Sequence, residues 1–348
     1  MTDYVRQFKP FSEIIGQRRA IKFLKKVMAS NKIPHAYLFT GIAGVGKTTA
    51  AIALTQAINC HKPMNYEGCG KCITCRQIIH DNFIDLVLVA PEGRYIKIDQ
   101  IKELNRSLQF KPVSGRYRTV IIEQAETMNR EAANSFLKTL EEPPPGNIIV
   151  LKVTEPLDLL PTIVSRCQKV AFRPLPSNEI KAWLIRELHQ DKKRASLTAR
   201  LSEGSIGKAI QISDSDFLEH RQESLLKLMK LPELEPESAI EMALEYSGKN
   251  KKATEDSMKR DPVIFELLGL WKTWYRDLML IRIGGTEEQL INIDFTKKLK
   301  TLSNVSKIED FIDSFMILDN AQRELIRNPN LGLLMENTVL ALKRRCRV

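Results

Sequence analysis

The run Gly41-Ile42-Ala43-Gly44-Val45-Gly46-Lys47-Thr48 constrains this chain more than any other stretch. It follows an apolar, β-rich segment, Ala36 to Thr40, and precedes a helical pattern that starts near Lys47. That strand–loop–helix setting is the one a phosphate-binding loop requires. Glycines let the backbone wrap an anion, and the N–H groups of the following helix face it. Gly41, Gly44 and Gly46 are therefore expected to shape the loop, with Lys47 neutralising the β and γ phosphates of ATP or ADP. Thr48 is expected to hold Mg2+, with Thr49 beside it on the first helical turn.

The surrounding sequence fits that loop. From Ile14 to about Phe172, short apolar runs alternate with helical patterns, as in a parallel sheet with helices on both faces. The clearest strands are Ala36 to Thr40, Leu86 to Ala90, Thr119 to Ile122, Ile148 to Val153 and Lys169 to Phe172. After Pro174 and Pro176 the pattern becomes helical, with Ser177 placed to cap the first helix. The expected organisation is an α/β nucleotide-binding domain over residues 1–173, a small helical lid over 174–212 and an all-α domain over 213–348. In the last, Val263 to Ile283 and Lys307 to Arg327 are the longest periodic segments, and the charged stretch Gly248 to Asp261 reads as a loop. Trp271, Trp274 and Tyr275 share one helical face, which points to core packing rather than base stacking.

Composition narrows the setting. With 348 residues, 43% of them hydrophobic, the chain can bury a sizeable core. No apolar run is long enough to cross a membrane, and Met1 to Pro10 lacks the apolar centre of a signal peptide, so a cytoplasmic location is expected. The net charge of +11 suits an acidic partner such as DNA; Lys102, Arg106 and Lys111 are candidates for backbone phosphate contact, although basic residues on a solvated helix are the default reading.

Two further features carry chemistry. A P-loop enzyme needs an acid at the end of a neighbouring strand, usually followed by a second one that polarises the attacking water. Here Val120-Ile121-Ile122 is followed by Glu123 and then neutral Gln124, so Glu123 is a degenerate metal-holding acid and Gln124 a poor base. Nucleotide binding with slow hydrolysis follows. Cysteines cluster separately: Cys60, then Cys69, Cys72 and Cys75 in two overlapping Cys-x-x-Cys steps. Four thiolates so spaced satisfy a tetrahedral Zn2+ with no open position, a structural rather than catalytic site; free thiols and an iron–sulfur cluster are the alternatives. His61 adjoins Cys60 as a substitute ligand.

Together with the loop and the cysteine cluster, the segments Ile33-Pro34-His35-Ala36-Tyr37-Leu38-Phe39, Asn134 to Pro144 and Leu160-Pro161-Thr162-Ile163-Val164-Ser165-Arg166-Cys167 resemble bacterial DNA polymerase III clamp-loader subunits of the AAA+ superfamily. The resemblance is strong over about residues 11 to 212 and weaker over the helical remainder, which includes Asn328-Pro329-Asn330. It implies a subunit of a hetero-pentamer with γ/τ and δ subunits, which opens a sliding clamp and closes it on primer–template DNA. Any nucleotidyltransferase activity would belong to the holoenzyme. By the same resemblance Arg166 would be an arginine finger acting in a neighbour's ATP site, Thr154 the first sensor and Lys208, where an arginine is usual, the second. The 213–348 domain would join a collar with the other subunits. Glu123-Gln124 and Lys208 resemble the δ′ branch, a stator, more than the hydrolysing γ/τ motor. The rivals are that motor, a stand-alone DNA-remodelling ATPase and a zinc-and-helix scaffold with a vestigial loop.

Overall fold

The computed structural model describes residues 9–30, 32–214, 216–247, 257–325 and 329–345. Two compact units emerge, Met1–Gln190 with Ser202–Ile210, and Asp191–Leu201 with Gln211–Val348. Among the described residues no helix is long and apolar enough to cross a membrane.

The first unit is built on five parallel strands, β1 (Ala36–Thr40), β2 (Leu86–Val89), β3 (Arg118–Ile122), β4 (Asn147–Val153) and β5 (Gln168–Ala171). They run in the order β2-β3-β4-β1-β5, and every pairing is parallel. The expected strands are all present, β1 at its expected bounds and the others with one or both ends displaced by a residue. Among the described residues seven α-helices lie wholly in this unit, α1 (Arg18–Ala29), α2 (Lys47–Asn59), α3 (Ile73–Ile79), α4 (Ile98–Leu108), α5 (Arg130–Glu141), α6 (Pro161–Val164) and α7 (Ser177–Glu187), and the start of a further helix at Ile206 belongs to it too.

Side chains of a strand alternate between faces, which divides the core in two. Leu38, Val120, Ile122, Ile149 and Leu151 pack with residues of α4 and α5. Tyr37, Phe39, Ile121, Ile148 and Val150 pack with residues of α1 and α2. Burial on both faces explains why β1, β3 and β4 read as largely continuous apolar runs rather than alternating ones.

Asp85, just before β2, pins the edge of this sheet. Its buried carboxylate accepts N–H bonds from Val113 at 2.9 Å, Ser114 at 2.7 Å and Gly115 at 2.7 Å, and lies 3.5 Å from the Arg118 guanidinium. Burial alone would raise its pKa, but these donors and Arg118 outweigh it and hold the carboxyl below its ordinary range.

Ser177 does not cap α7. Pro176 occupies the capping position and Ser177 is the first helical residue; proline has no N–H to satisfy and its fixed φ suits a helix entry.

The second unit is helical: α8 (Lys192–Leu201), the end of α9 (Ile206–Ser213), α10 (Phe217–Lys230), α11 (Pro236–Ser247), α12 (Ser257–Arg282), α13 (Thr296–Ser303), α14 (Ile308–Leu325) and α15 (Leu331–Arg345). Helix α12 packs on α14, and α11 on α15. Trp271, Trp274 and Tyr275 are buried in their shared core, and the Trp271 indole N–H donates to Ser224 Oγ at 2.8 Å. Buried Arg221 is matched by the Asp294 carboxylate at 2.6 Å and 2.9 Å and by Asn292 Oδ1 at 2.6 Å. Within the stretch 248–261, residues 248–256 fall outside the described ones, while α12 already begins at Ser257. Charged residues are good helix formers, so charge alone does not make a loop.

Asp85→Ala leaves the N–H groups of Val113, Ser114 and Gly115 without their acceptor and buried Arg118 without its counter-charge, and is expected to lower the unfolding free energy by about 2–4 kcal/mol, measured by urea titration. The contribution of Asp85 is present above the unfolded carboxyl pKa, near 4 on ordinary values, and is lost as pH falls through the lower folded one. The variant should therefore show a shallower loss of stability on acidification.

Candidate functional site

The order of the strands builds the site. Because β4 lies between β1 and β3, the loop that follows β1, the last residues of β4 and the residue that follows β3 converge on one edge of the sheet. Those are Gly41 to Thr48, Lys152 and Glu123.

The loop folds tightly. Gly41 has a φ of 134° and donates its N–H to the Thr154 carbonyl at 3.0 Å; a Cβ on it would stand 2.3 Å from the Phe172 carbonyl. Gly44, with φ 72°, is approached just as closely by the segment 202–210. The Gly207 N–H donates to Gly44 O at 2.9 Å, and the Ser205 hydroxyl to Ala43 O at 2.8 Å. Gly46, left-handed, caps the N-terminus of α2. Buried Gln17 braces the loop from behind: its amide donates to Val45 O at 3.3 Å and Arg173 O at 2.8 Å, and its Oε1 accepts from the Arg173 N–H at 3.1 Å.

Lys47 is buried and donates to the carbonyls of Gly41 and Ile42. Burial first, then the charge of Lys152, pushes its ammonium down to about 8. Thr48 Oγ1 donates to Glu123 Oε1 at 3.2 Å, and Thr49 sits half-buried behind it. Gln124 is exposed in a left-handed conformation. The Oε2 of Glu126 is buried without a hydrogen-bond partner, and its charge acts on both Lys47 and Lys152.

Lys152 was not singled out by the sequence. It lies on the face of β4 that carries Ile148 and Val150, the α2 side, and only 6% of its surface is exposed. Its ammonium donates to both Thr48 Oγ1 and Glu123 Oε2. Burial lowers its pKa and the Glu123 carboxylate opposes that. The signal was a lysine in an otherwise apolar central strand, where an ionised side chain persists only if paired.

The expectation that Thr48 and Glu123 hold Mg2+ is therefore not matched by this arrangement, since both residues are already bound to a buried cation. A divalent ion between them would stand against the ammonium.

The other expected residues are spread out. Thr154 lies one residue past β4, with its carbonyl on Gly41. Lys208 is near the loop through its backbone, but its ammonium faces Glu203 at 3.7 Å. Arg166 lies between α6 and β5, thus at the start of a strand, whereas the loop follows the end of one. In a parallel sheet these are opposite edges. Arg166 pairs with Glu141 at 2.6 Å and donates to Thr162 O at 2.9 Å. Lys102 and Arg106 are exposed on α4, Lys102 lying 4.0 Å from Asp99, and Lys111 follows the helix, also exposed.

The four cysteines do come together. Their sulfurs all lie within 4.8 Å of one another, close to the ~3.8 Å separation of thiolates around tetrahedral zinc with Zn–S near 2.3 Å. N–H groups point at them, from Cys69 to Cys60 Sγ at 3.2 Å, from Cys72 to Cys69 Sγ at 3.3 Å and from Cys75 to Cys72 Sγ at 3.5 Å. Donors from Lys71 and Cys72 bring the Cys69 thiol down to about 6, while burial pushes Cys75 up. The donor set fits zinc. His61 instead meets Thr74 Oγ1 at 3.2 Å and stands outside the cluster.

This fold and loop define an α/β protein with a P-loop-type turn between β1 and α2. Residues 16–176 match the family model described as DNA polymerase III, delta subunit. The chain is 31% identical to DNA polymerase III subunit delta′ of Bacillus subtilis over 94% of its own length and 96% of that protein's. It belongs to the DNA polymerase III delta′ family. It is also 29% identical to subunit tau of Escherichia coli, of which it spans 44%, and 27% identical to subunit tau of Bacillus subtilis, of which it spans 59%. A gamma-subunit-related protein of Thermotoga maritima superposes with a TM-score of 0.45 at 21% identity, over 93% of this chain and 98% of that one.

Metal analysis of the purified chain should find about one zinc per chain, and cobalt substitution should give the absorption of a tetrahedral thiolate site. Cys69→Ser and Cys72→Ser should lower both and bring the melting temperature down. A visible iron–sulfur chromophore would instead favour the cluster.

Proposed function

We propose that this chain serves as the δ′ subunit of a bacterial clamp loader, a stator that helps place the sliding clamp on primed DNA during replication. Membership of the delta′ family over nearly the whole chain supports this reading. In it the first unit is an AAA+ domain, residues 174–212 act as its lid, and residues 213–348 form the collar with γ/τ and δ subunits in a hetero-pentamer. The clamp and primer–template DNA are met through that assembly, with Lys102, Arg106 and Lys111 as candidate phosphate contacts. Its setting is the bacterial cytoplasm.

Two observations support this role: Glu123 is tied to Lys152 and followed by neutral Gln124, and Arg166 lies at the opposite edge of the parallel sheet from the phosphate-binding loop. Arg166 is too far along the sheet to serve the loop of its own chain, which supports a role in a neighbour's site. There its planar charge would stabilise the phosphoryl group in transfer. Its present partner, Glu141, is exposed and easily exchanged for a phosphate.

In its own site the chain holds ATP or ADP without efficient turnover. Positive-φ glycines at the N-terminus of α2 and the Lys47 ammonium suit the phosphates. Glu123, however, is tied to Lys152, and Gln124 offers no base. Thr154 and Lys208 take the sensor positions, and the Cys60–Cys69–Cys72–Cys75 zinc site stiffens the segment between α2 and α3.

Reconstitution with γ/τ and δ subunits tests the assignment. Arg166→Ala should cut clamp-dependent ATP turnover at the adjacent site by about 10³-fold or more, while the isolated chain keeps its nucleotide affinity. Unchanged turnover and loading, or brisk hydrolysis by this chain alone, would overturn the stator reading in favour of a motor.

A further inference from the structure

We propose that the side chain of Lys152 takes the place of a divalent cation in this nucleotide site, so that the chain binds adenine nucleotides without magnesium. The inference rests on the reading that nucleotide binds at the Gly41–Thr48 loop.

Three features of the fold lead to it. The first is position. Strand β4 separates β1 from β3, so a residue near its C-terminal end stands between the loop and Glu123. The register makes this concrete: Leu151 pairs with Ile122, and Lys152 pairs with Phe39 two residues before Gly41. The second is facing. Alternation along β4 puts Ile148, Val150 and then Lys152 on the side of α2, whose first turn carries Thr48.

The third is the set of partners. The Lys152 ammonium binds one oxygen of Glu123 and the hydroxyl of Thr48. These are the two side chains that a P-loop would offer to a metal.

Charge completes the argument. Lys47 and Lys152 bring two positive charges, and Glu123 and Glu126 two negative ones. The charges balance before any ligand arrives, and Glu123, the acid nearest Thr48, is already paired with Lys152 and has less to offer a divalent ion. An ammonium can replace part of such an ion's work. It donates up to three hydrogen bonds and screens phosphate oxygens. It lacks the higher charge and octahedral coordination with which Mg2+ grips carboxylate and phosphate together. A site built this way retains nucleotide but does not promote its cleavage, in keeping with a subunit that holds shape while others turn over.

The test is a calorimetric titration of the full chain with ATP and with ADP, once in excess EDTA and once in millimolar magnesium. Wild-type dissociation constants are expected to agree within about threefold between the two buffers. Lys152→Met, checked for folding by its melting curve, should bind weakly in EDTA and at least about tenfold more tightly with magnesium. Lys152→Gln, which keeps a donor but not the charge, should follow the same direction.

A wild-type chain whose affinity rises tenfold or more with magnesium would overturn the inference while leaving the nucleotide-holding role intact. So would magnesium-independent binding by both variants. No binding by any form in either buffer would remove both readings together.

Discussion

Everything around the Gly41–Thr48 loop depends on parallel pairing of β1 with β4 on one side and β5 on the other. With all strands pointing the same way, the loops after β1, β3 and β4 must gather at one edge and those before the strands at the other. The same constraint that assembles Lys47, Thr48, Glu123 and Lys152 therefore sends Arg166 away from them. Neither placement needs a special contact; both follow from strand direction and order.

That edge is held by backbone as much as by side chains. Gly41 hangs from the Thr154 carbonyl, Gln17 ties the loop to Arg173, and the Gly207 amide rests on Gly44. Three separate parts of the first unit thus fix one short loop. Each contact passes through a group whose geometry leaves little room for substitution: a carbonyl 2.3 Å from where a Cβ would stand at Gly41, a hydroxyl 2.4 Å from one at Gly44.

Much of this was legible in the sequence. Continuous apolar runs marked the strands because both faces are buried, and the glycine-rich loop announced itself by spacing. The cysteine cluster was equally plain, since Cys69, Cys72 and Cys75 need only one turn-rich loop to meet Cys60. What escaped depended on nonlocal geometry. Lys152 means nothing until strand order puts it between two other segments, and Gln17 reads as an ordinary polar residue until its amide is found buried at 3% exposure. Helix ends failed for a different reason: Pro176 and Ser177 are both acceptable at a helix entry, and local preference separates them weakly.

The segment Ser202–Ile210, which rests on Gly44 through Gly207, belongs to the first unit, whereas Asp191–Leu201 just before it belongs to the second. The unit that holds the Gly41–Thr48 loop is therefore not one continuous stretch of polypeptide. A cut after Gln190 would take away the strip of backbone that lies on the loop, even though every strand remained. Recombination, proteolysis or gene fission at that point could not release this unit as a self-sufficient module. Any piece that keeps this unit whole has to run on to Ile210 and carry Asp191–Leu201 with it.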